Sequence, residues 1–294
     1  MVQFELRHLR YFVAVAEELH FGRAAQRLNI AQPPLSQQIQ RLEQIVGAKL
    51  LERTSRRTEL TPAGVVFLQH ARRLLGESER AADAARRAAR GEMETLVVGF
   101  ADSAALSVLP AIVRRFRQGH PDVHLELIER STQAQLTALE QGRVDVALVR
   151  GPVVDASLHI ETLLRETFVV AVPDDHPLAR RRRTTVEALR SHPFVLFPRH
   201  LAPAFHDELI AICLRAGFSP EVRAEAAEYQ TILSLVAAGI GISLVPSSVR
   251  NLGRTGVSFV PLPDARTKAS VVLATRADRT SPALSKFIAL ARAT

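Results

Sequence analysis

Gln32, Ser36, Gln37, Gln40 and Arg41 fall together on the outer face of the segment 32–46 if that segment is helical. Glutamine and serine carry both donors and acceptors. A helix bearing them can match the hydrogen-bonding pattern of base edges in a DNA major groove, whereas charge alone reads only phosphate. Three arginines, Arg53, Arg56 and Arg57, surround a polar tip between two short apolar stretches. That arrangement predicts a small hairpin, or wing, whose guanidinium groups can meet phosphates or a narrow minor groove. Further along, Ser103 follows an apolar run at 95–100 and Thr132 follows another at 123–129, each beside the start of a helical segment. Hydroxyls and free backbone N–H groups at such places suit a carboxylate, although either residue taken singly reads first as an ordinary N-cap.

The remaining reactive side chains predict no catalytic apparatus. His120 and His176 lie in turn sequences, and His192, His200 and His206 lack metal-ligand spacing. The segment 236–242 has two glycines but not a full dinucleotide fingerprint, and reads as a helix stop before a strand. With no nucleophile elbow, phosphate loop or paired catalytic acids, no enzymatic activity, cofactor or metal is expected. The single cysteine, Cys213, excludes an intramolecular disulfide, fits a reducing compartment and reads as core packing. The run Arg180–Arg183 reads first as a solvated loop, with a second DNA or protein contact as the alternative.

The elements that would position these groups follow from periodicity. Leu6, Leu9, Val13 and Ala16 predict the apolar face of a first helix, and residues 23–28 a brief second one, broken at Asn29 and Ile30. Pro33 and Pro34 open the third, where a missing N–H costs nothing, with Leu35, Ile39, Leu42 and Val46 inward. Two short helices across a tight break, the second with an amide-rich outer face, form a helix-turn-helix pattern. Thr61 and Pro62 start a long helix carrying Ala71, Leu74, Ser78, Ala81, Ala85 and Ala88 at heptad spacing. A stripe that long beside a charged back predicts a partner helix, in a homodimer or in its own C-terminal domain.

Of the net charge of +8 over 294 residues, residues 1–91 hold +6 and the rest +2, so the polyanion-binding potential sits in the first third. Charged residues interrupt the N-terminus before an apolar stretch can form, and no run reaches membrane-spanning length. A cytoplasmic protein without membrane contact is expected. Beyond Gly91, strand-like and helix-like segments alternate, which predicts parallel sheets with crossover helices.

Through Leu6-Arg7-His8-Leu9-Arg10-Tyr11-Phe12, Ala24-Ala25, Gln32-Pro33-Pro34-Leu35-Ser36, Leu42-Glu43, Leu50-Leu51-Glu52-Arg53 and Leu60-Thr61-Pro62-Ala63-Gly64, the chain resembles the LysR-type transcriptional regulators over its whole length. It is most similar to the branch that controls aromatic catabolism through muconate-like or benzoate-like inducers. The resemblance implies an N-terminal all-α winged helix-turn-helix (1–60), a linker and dimerisation helix (61–91), and a C-terminal α/β effector domain (92–294). That domain would have two lobes, like a periplasmic binding protein: about 92–164 with 269–294, and about 165–268. DNA contacts are implied for Gln32, Pro33, Pro34, Ser36, Gln37, Arg53 and Arg56, with Gln37 replacing an arginine of close relatives. Effector contacts are implied for Ser103, Ala104, Thr132, Pro203, Phe205 and Tyr229, with Arg150 lining or supporting the cleft. Ala104 is smaller, and Tyr229 larger and more polar, than the branch's usual residues. The implied partners are an interrupted palindrome in double-stranded DNA, a small carboxylate, further copies in a homodimer or homotetramer, and RNA polymerase. The implied role is activation of a catabolic operon. A repressor or autoregulator with an unrelated effector, and an architectural DNA-binding protein with none, are the alternatives.

Overall fold

The computed structural model describes residues 4–53, 57–89, 94–278 and 280–294. The chain divides into an N-terminal unit ending near residue 92 and a C-terminal unit beginning at residue 93.

The N-terminal unit begins with α1 (Leu6–Glu18), α2 (Phe21–Arg27) and α3 (Gln32–Val46). Glu5 and His8 form a reciprocal capping box at the start of α1. Its buried arc is Leu9, Phe12, Val15 and Ala16, whereas Leu6 is 41% exposed and Val13 only half-buried. The apolar face is therefore rotated from the expected one. Phe12 draws it round by packing edge-on to Phe67, 5.3 Å between centroids. Ala24 and Ala25 bury the inner side of α2, and Asn29 makes the break in the left-handed region that asparagine tolerates. Leu35, Ile39 and Leu42 are fully buried under α3, which stops at Gly47 with φ of 75°.

A clasp of hydrogen bonds then joins α3, the hairpin β1 (Leu51–Arg53) and β2 (Thr58–Leu60), and the long helix α4 (Pro62–Ala89). The N–H groups of Leu50 and Leu51 donate to Glu43 Oε1 at 2.9 and 3.1 Å. Thr61 Oγ1 donates to the Lys49 carbonyl at 2.7 Å and accepts the Gly64 N–H at 2.9 Å. The Thr61 N–H donates to the Leu50 carbonyl. With its 28 residues, α4 is about 42 Å long.

The C-terminal unit holds two lobes with separate cores. In the first, five strands run in the order β4 (His124–Glu129), β3 (Thr95–Phe100), β5 (Val146–Gly151), β12 (Ala269–Arg276), β6 (Leu158–Glu166). The helices α5 (Asp102–Ala105), α6 (Leu109–Gly119) and α10 (Pro282–Arg292) contribute to the core that contains Phe116 and Phe287. The helix α7 (Thr132–Glu140) contributes Ala138 and Leu139 to a further core.

In the second lobe, β7 (Phe168–Pro173) lies between β10 (Ser243–Pro246) and β11 (Val257–Pro261). The strands β8 (Pro193–Leu196) and β9 (Glu221–Glu225) pair beside α8 (Pro203–Arg215) and α9 (Tyr229–Ala237). The core here includes Phe168, Phe194, Phe205 and Cys213. Burial pushes the Cys213 thiol up to about 11, which keeps it protonated and inert.

The expected parallel pairing holds for β4-β3-β5 and for β8-β9. It fails elsewhere: β12 is antiparallel to β5 and β6, and β10 and β11 are antiparallel to β7. Strand direction here depends on where the chain re-enters a lobe, which no local residue pattern encodes. The return segment β12 inserts between β5 and β6, which are consecutive in sequence.

Candidate functional site

The outer face of α3 is the first candidate surface. Gln32, Pro33, Pro34, Gln37, Gln40 and Arg41 are exposed and Ser36 is half-buried, opposite the buried Leu35–Ile39–Leu42 ridge. The face is rich in amides and open to a partner of groove width. Of the two wing arginines singled out, Arg53 ends β1, and Arg56 lies outside the described residues.

The second candidate lies wholly within the C-terminal unit. The carboxyl ends of β3, β4 and β5 open onto a cleft of about 360 Å³, closed on the other side by α8 and the start of α9. Ligands of open α/β sheets bind at such strand ends. Gln135 holds two of these ends together, its Nε2 donating to the Phe100 and Ile128 carbonyls at 3.0 and 2.5 Å. Gly99 makes room for it, because a Cβ there would meet Gln135 Oε1 at 2.2 Å.

Arg150 sits at the centre with 4% exposure. Its Nη1 donates to Glu166 Oε1 at 3.2 Å and to the Ser270 carbonyl at 3.3 Å. Its guanidinium lies 5.2 Å over the Phe205 ring. Its Nε and Nη2 are buried and neither makes a hydrogen bond of good geometry, although the Tyr229 hydroxyl interacts with the guanidinium. Buried guanidinium donors left unmatched are costly, and a carboxylate is their natural complement. Glu166 is in turn held by the second lobe, accepting from Ser247 Oγ, Ser248 N–H and Ser248 Oγ at 3.2, 2.6 and 3.0 Å. One ion pair therefore links the cleft to the point where the chain crosses between lobes, just before β7.

Asp102 also faces the cleft. Desolvation raises its carboxyl to about 6, against the opposing pull of Arg150 and the Ser103 N–H, while Glu228 and Glu129 add to the rise. Burial likewise raises the Tyr229 phenol, which stays neutral.

Of the residues singled out for effector contact, Thr132, Arg150, Phe205 and Tyr229 line the cleft; Ser103, Ala104 and Pro203 do not. Ala104 is packed in the first lobe's core, Ser103 is fully buried beside it with an unpartnered Oγ, and Pro203 begins α8. Neither hydroxyl acts as an N-cap. Ser131 Oγ accepts from the Ala134 N–H, Asp102 Oδ1 accepts from the Ser103 N–H, and Thr132 Oγ1 accepts the Arg150 N–H at 3.2 Å. Thr132 thus fixes the backbone of the cleft's arginine. Thr132→Val, which keeps the shape and removes the acceptor, is expected to cost about 1–3 kcal/mol by stranding a buried N–H. Thr132→Ser should recover most of it in thermal unfolding of the full chain.

Sequence reasoning missed Asp102, Glu228 and Phe197 as cleft residues, and Glu166 behind them. The available signal was adjacency: Asp102 precedes Ser103 at the end of the first strand, and Glu228 precedes Tyr229. Among the described residues, no group of three or more His, Cys, Asp or Glu side chains is arranged to hold a metal ion. No helix among them is long and apolar enough to cross a membrane.

The family model "LysR substrate binding domain" matches residues 89–294, and "Bacterial regulatory helix-turn-helix protein, lysR family" matches residues 6–65. The HTH-type transcriptional regulator AlsR of Bacillus subtilis (strain 168) is 44% identical over 284 residues, 97% of this chain and 94% of its own. Full-length CbnR complexed with its target DNA is similar with a TM-score of 0.60 and 31% identity, over 99% of each chain. The BenM effector binding domain with its effector benzoate aligns with 69% of this chain and 92% of its own, at 31% identity and a TM-score of 0.63.

Proposed function

The chain belongs to the LysR family of bacterial helix-turn-helix transcription regulators, and from that membership we propose that it activates a catabolic operon in response to a small carboxylate bound between its two lobes. The observation that carries this reading is Arg150, buried at the carboxyl ends of parallel strands with Nε and Nη2 unmatched. BenM's domain takes benzoate, which offers the acceptor pair such a group needs.

In this reading α3 lies in the major groove of an interrupted palindrome, with Gln32, Pro33, Pro34, Ser36 and Gln37 at the bases and Arg53 and Arg56 at the backbone. Dimers form through α4, where Leu74 is 44% exposed and Ala81 and Ala85 are exposed on the heptad stripe. Two dimers make a tetramer that works in the cytoplasm and contacts RNA polymerase. The effector shifts the assembly by its differential affinity for two arrangements of the lobes.

The test is thermal unfolding of the full chain with benzoate and cis,cis-muconate, alongside footprinting on the promoter nearest its own gene. Binding to the native state raises the melting temperature in proportion to ligand concentration over Kd. No shift with any small acid, together with a sequence-independent footprint, would leave only an architectural role.

A division of labour on DNA follows. Gln32→Ala is expected to reduce discrimination at one base position by about 1–3 kcal/mol. Arg53→Ala should weaken binding to all sequences and lower the salt slope by about one. Identical salt and sequence dependence for the two variants would contradict these roles.

A further inference from the structure

We propose that Asp102 is a specificity residue of the inter-lobe cleft, and that it selects a carboxylic acid carrying its own hydroxyl donor. The inference rests on the carboxylate reading above and narrows it.

The unmatched buried atoms at the cleft are of two kinds. Arg150 offers donors, Nε and Nη2, and Asp102 offers an acceptor, Oδ2, which is buried without a partner. The other oxygen of Asp102 is taken by the Ser103 N–H at 2.6 Å. A plain carboxylate answers the arginine and leaves Asp102 Oδ2 stranded. It also adds negative charge to a lining that already holds Asp102, Glu129 and Glu228 against Arg130 and Arg150, with Arg150 paired to Glu166. A hydroxyl on the same molecule answers the stranded acceptor, while the added charge is left to Arg130 and Arg150. It donates to Oδ2, and a charge-assisted hydrogen bond of this kind is about twice as strong as a neutral one. A site built around such an acceptor rejects an analogue without the hydroxyl, because the buried acceptor is then left unpaired. Phe197, Phe205 and Tyr229 supply aromatic walls, and the volume of about 360 Å³ admits a single substituted ring.

The protonation state of Asp102 gives an independent handle. The groups that face it are Arg150 from β5, the Ser103 N–H of its own turn, Glu129 at the end of β4, Glu228 ahead of α9 and the Tyr229 phenol at the start of α9. Together with burial they set its carboxyl near 6. A hydroxyl donor favours the ionised form, so its advantage is full above that pH and fades as the pH falls through it.

The experiment is calorimetric titration of the full chain with benzoate and with each of the three monohydroxybenzoates, at pH 7.5 and at pH 5. At least one hydroxybenzoate should bind about ten-fold or more tightly than benzoate at pH 7.5. That ratio should fall toward one in Asp102→Ala, and also in the unmodified protein at pH 5, which decides the matter if the variant fails to fold. Benzoate binding as tightly as every hydroxybenzoate, or a ratio that survives both Asp102→Ala and low pH, overturns the inference while the carboxylate reading stands. If none of the four acids binds, both readings fail together.

Discussion

Arg150→Ala is expected to lower the stability of the C-terminal unit by about 3–5 kcal/mol, the cost of leaving a buried partner charge uncompensated. Glu166 would keep Ser247 and Ser248 as donors but lose its cation, in a place where its side chain is only 6% exposed. Against a typical domain stability of about 5–15 kcal/mol, that loss is large enough to bring the unit close to unfolding at growth temperature. The same substitution removes the donors offered to a carboxylate, so effector-dependent stabilisation should vanish with it. The two consequences separate in a second variant. Arg150→Met with Glu166→Gln removes both charges, fills the space with a flexible apolar chain, and leaves a carbonyl that can still accept the Ser248 N–H. Most of the stability should return while the effector response stays absent. Denaturant unfolding of the full chain, with and without benzoate, measures both quantities. A stable Arg150→Ala protein would mean that the ion pair does not hold the lobes' crossing point.

Gly64→Ala is expected to destabilise the DNA-binding unit by about 1–3 kcal/mol, the usual cost of forcing an extra group into a packed site. Helix propensity taken alone gives the opposite sign, since alanine is favoured over glycine within a helix by about 1 kcal/mol. The geometry decides between them. A Cβ at Gly64 would lie 1.9 Å from the Leu50 carbonyl oxygen and 2.9 Å from its carbon, both backbone atoms. Leu50 has no freedom to retreat: its N–H is held by Glu43 and its carbonyl by the Thr61 N–H. The substitution must therefore push the start of the wing away from α4 or tilt the first turn of the helix. Affinity for every DNA sequence should fall with stability, because the wing's position relative to α3 changes. Substitution at the exposed neighbouring Ala63 provides the comparison. A melting temperature for Gly64→Ala equal to or above that of the unmodified chain would refute the close approach of helix and wing.

Local features carried the N-terminal unit. Pro33 and Pro34 open α3, Gly47 closes it, and Thr61 caps α4, and each acts within a few residues of its own position. Such signals are legible in sequence because the physics is local: a missing N–H, a left-handed turn, a hydroxyl three residues from an N–H. The rotation of α1 was not legible, because the ring that decides it, Phe67, lies far along the chain on α4. The motif residues Glu43, Thr61 and Gly64 were visible as letters of a family signature. Their reason, a clasp on the backbone at residues 49–51, appeared only when α3, the wing and α4 came together.

The cleft depended on tertiary structure more heavily. Periodicity marked the strands whose ends form it but implied parallel sheets where β12, β10 and β11 run antiparallel, and it omitted Asp102, Glu228 and Glu166. These residues gain their meaning from partners at long separation: Arg150 meets Glu166 16 residues away, and Glu166 meets Ser248 82 residues away. The sequence alone determined the starts of α3 and α4, the amide face of α3 and the family. Only the folded chain decided which carboxylates surround Arg150 and which buried atoms lack partners. Burial and pairing of charge arise where distant segments exclude water together, and no single segment encodes that.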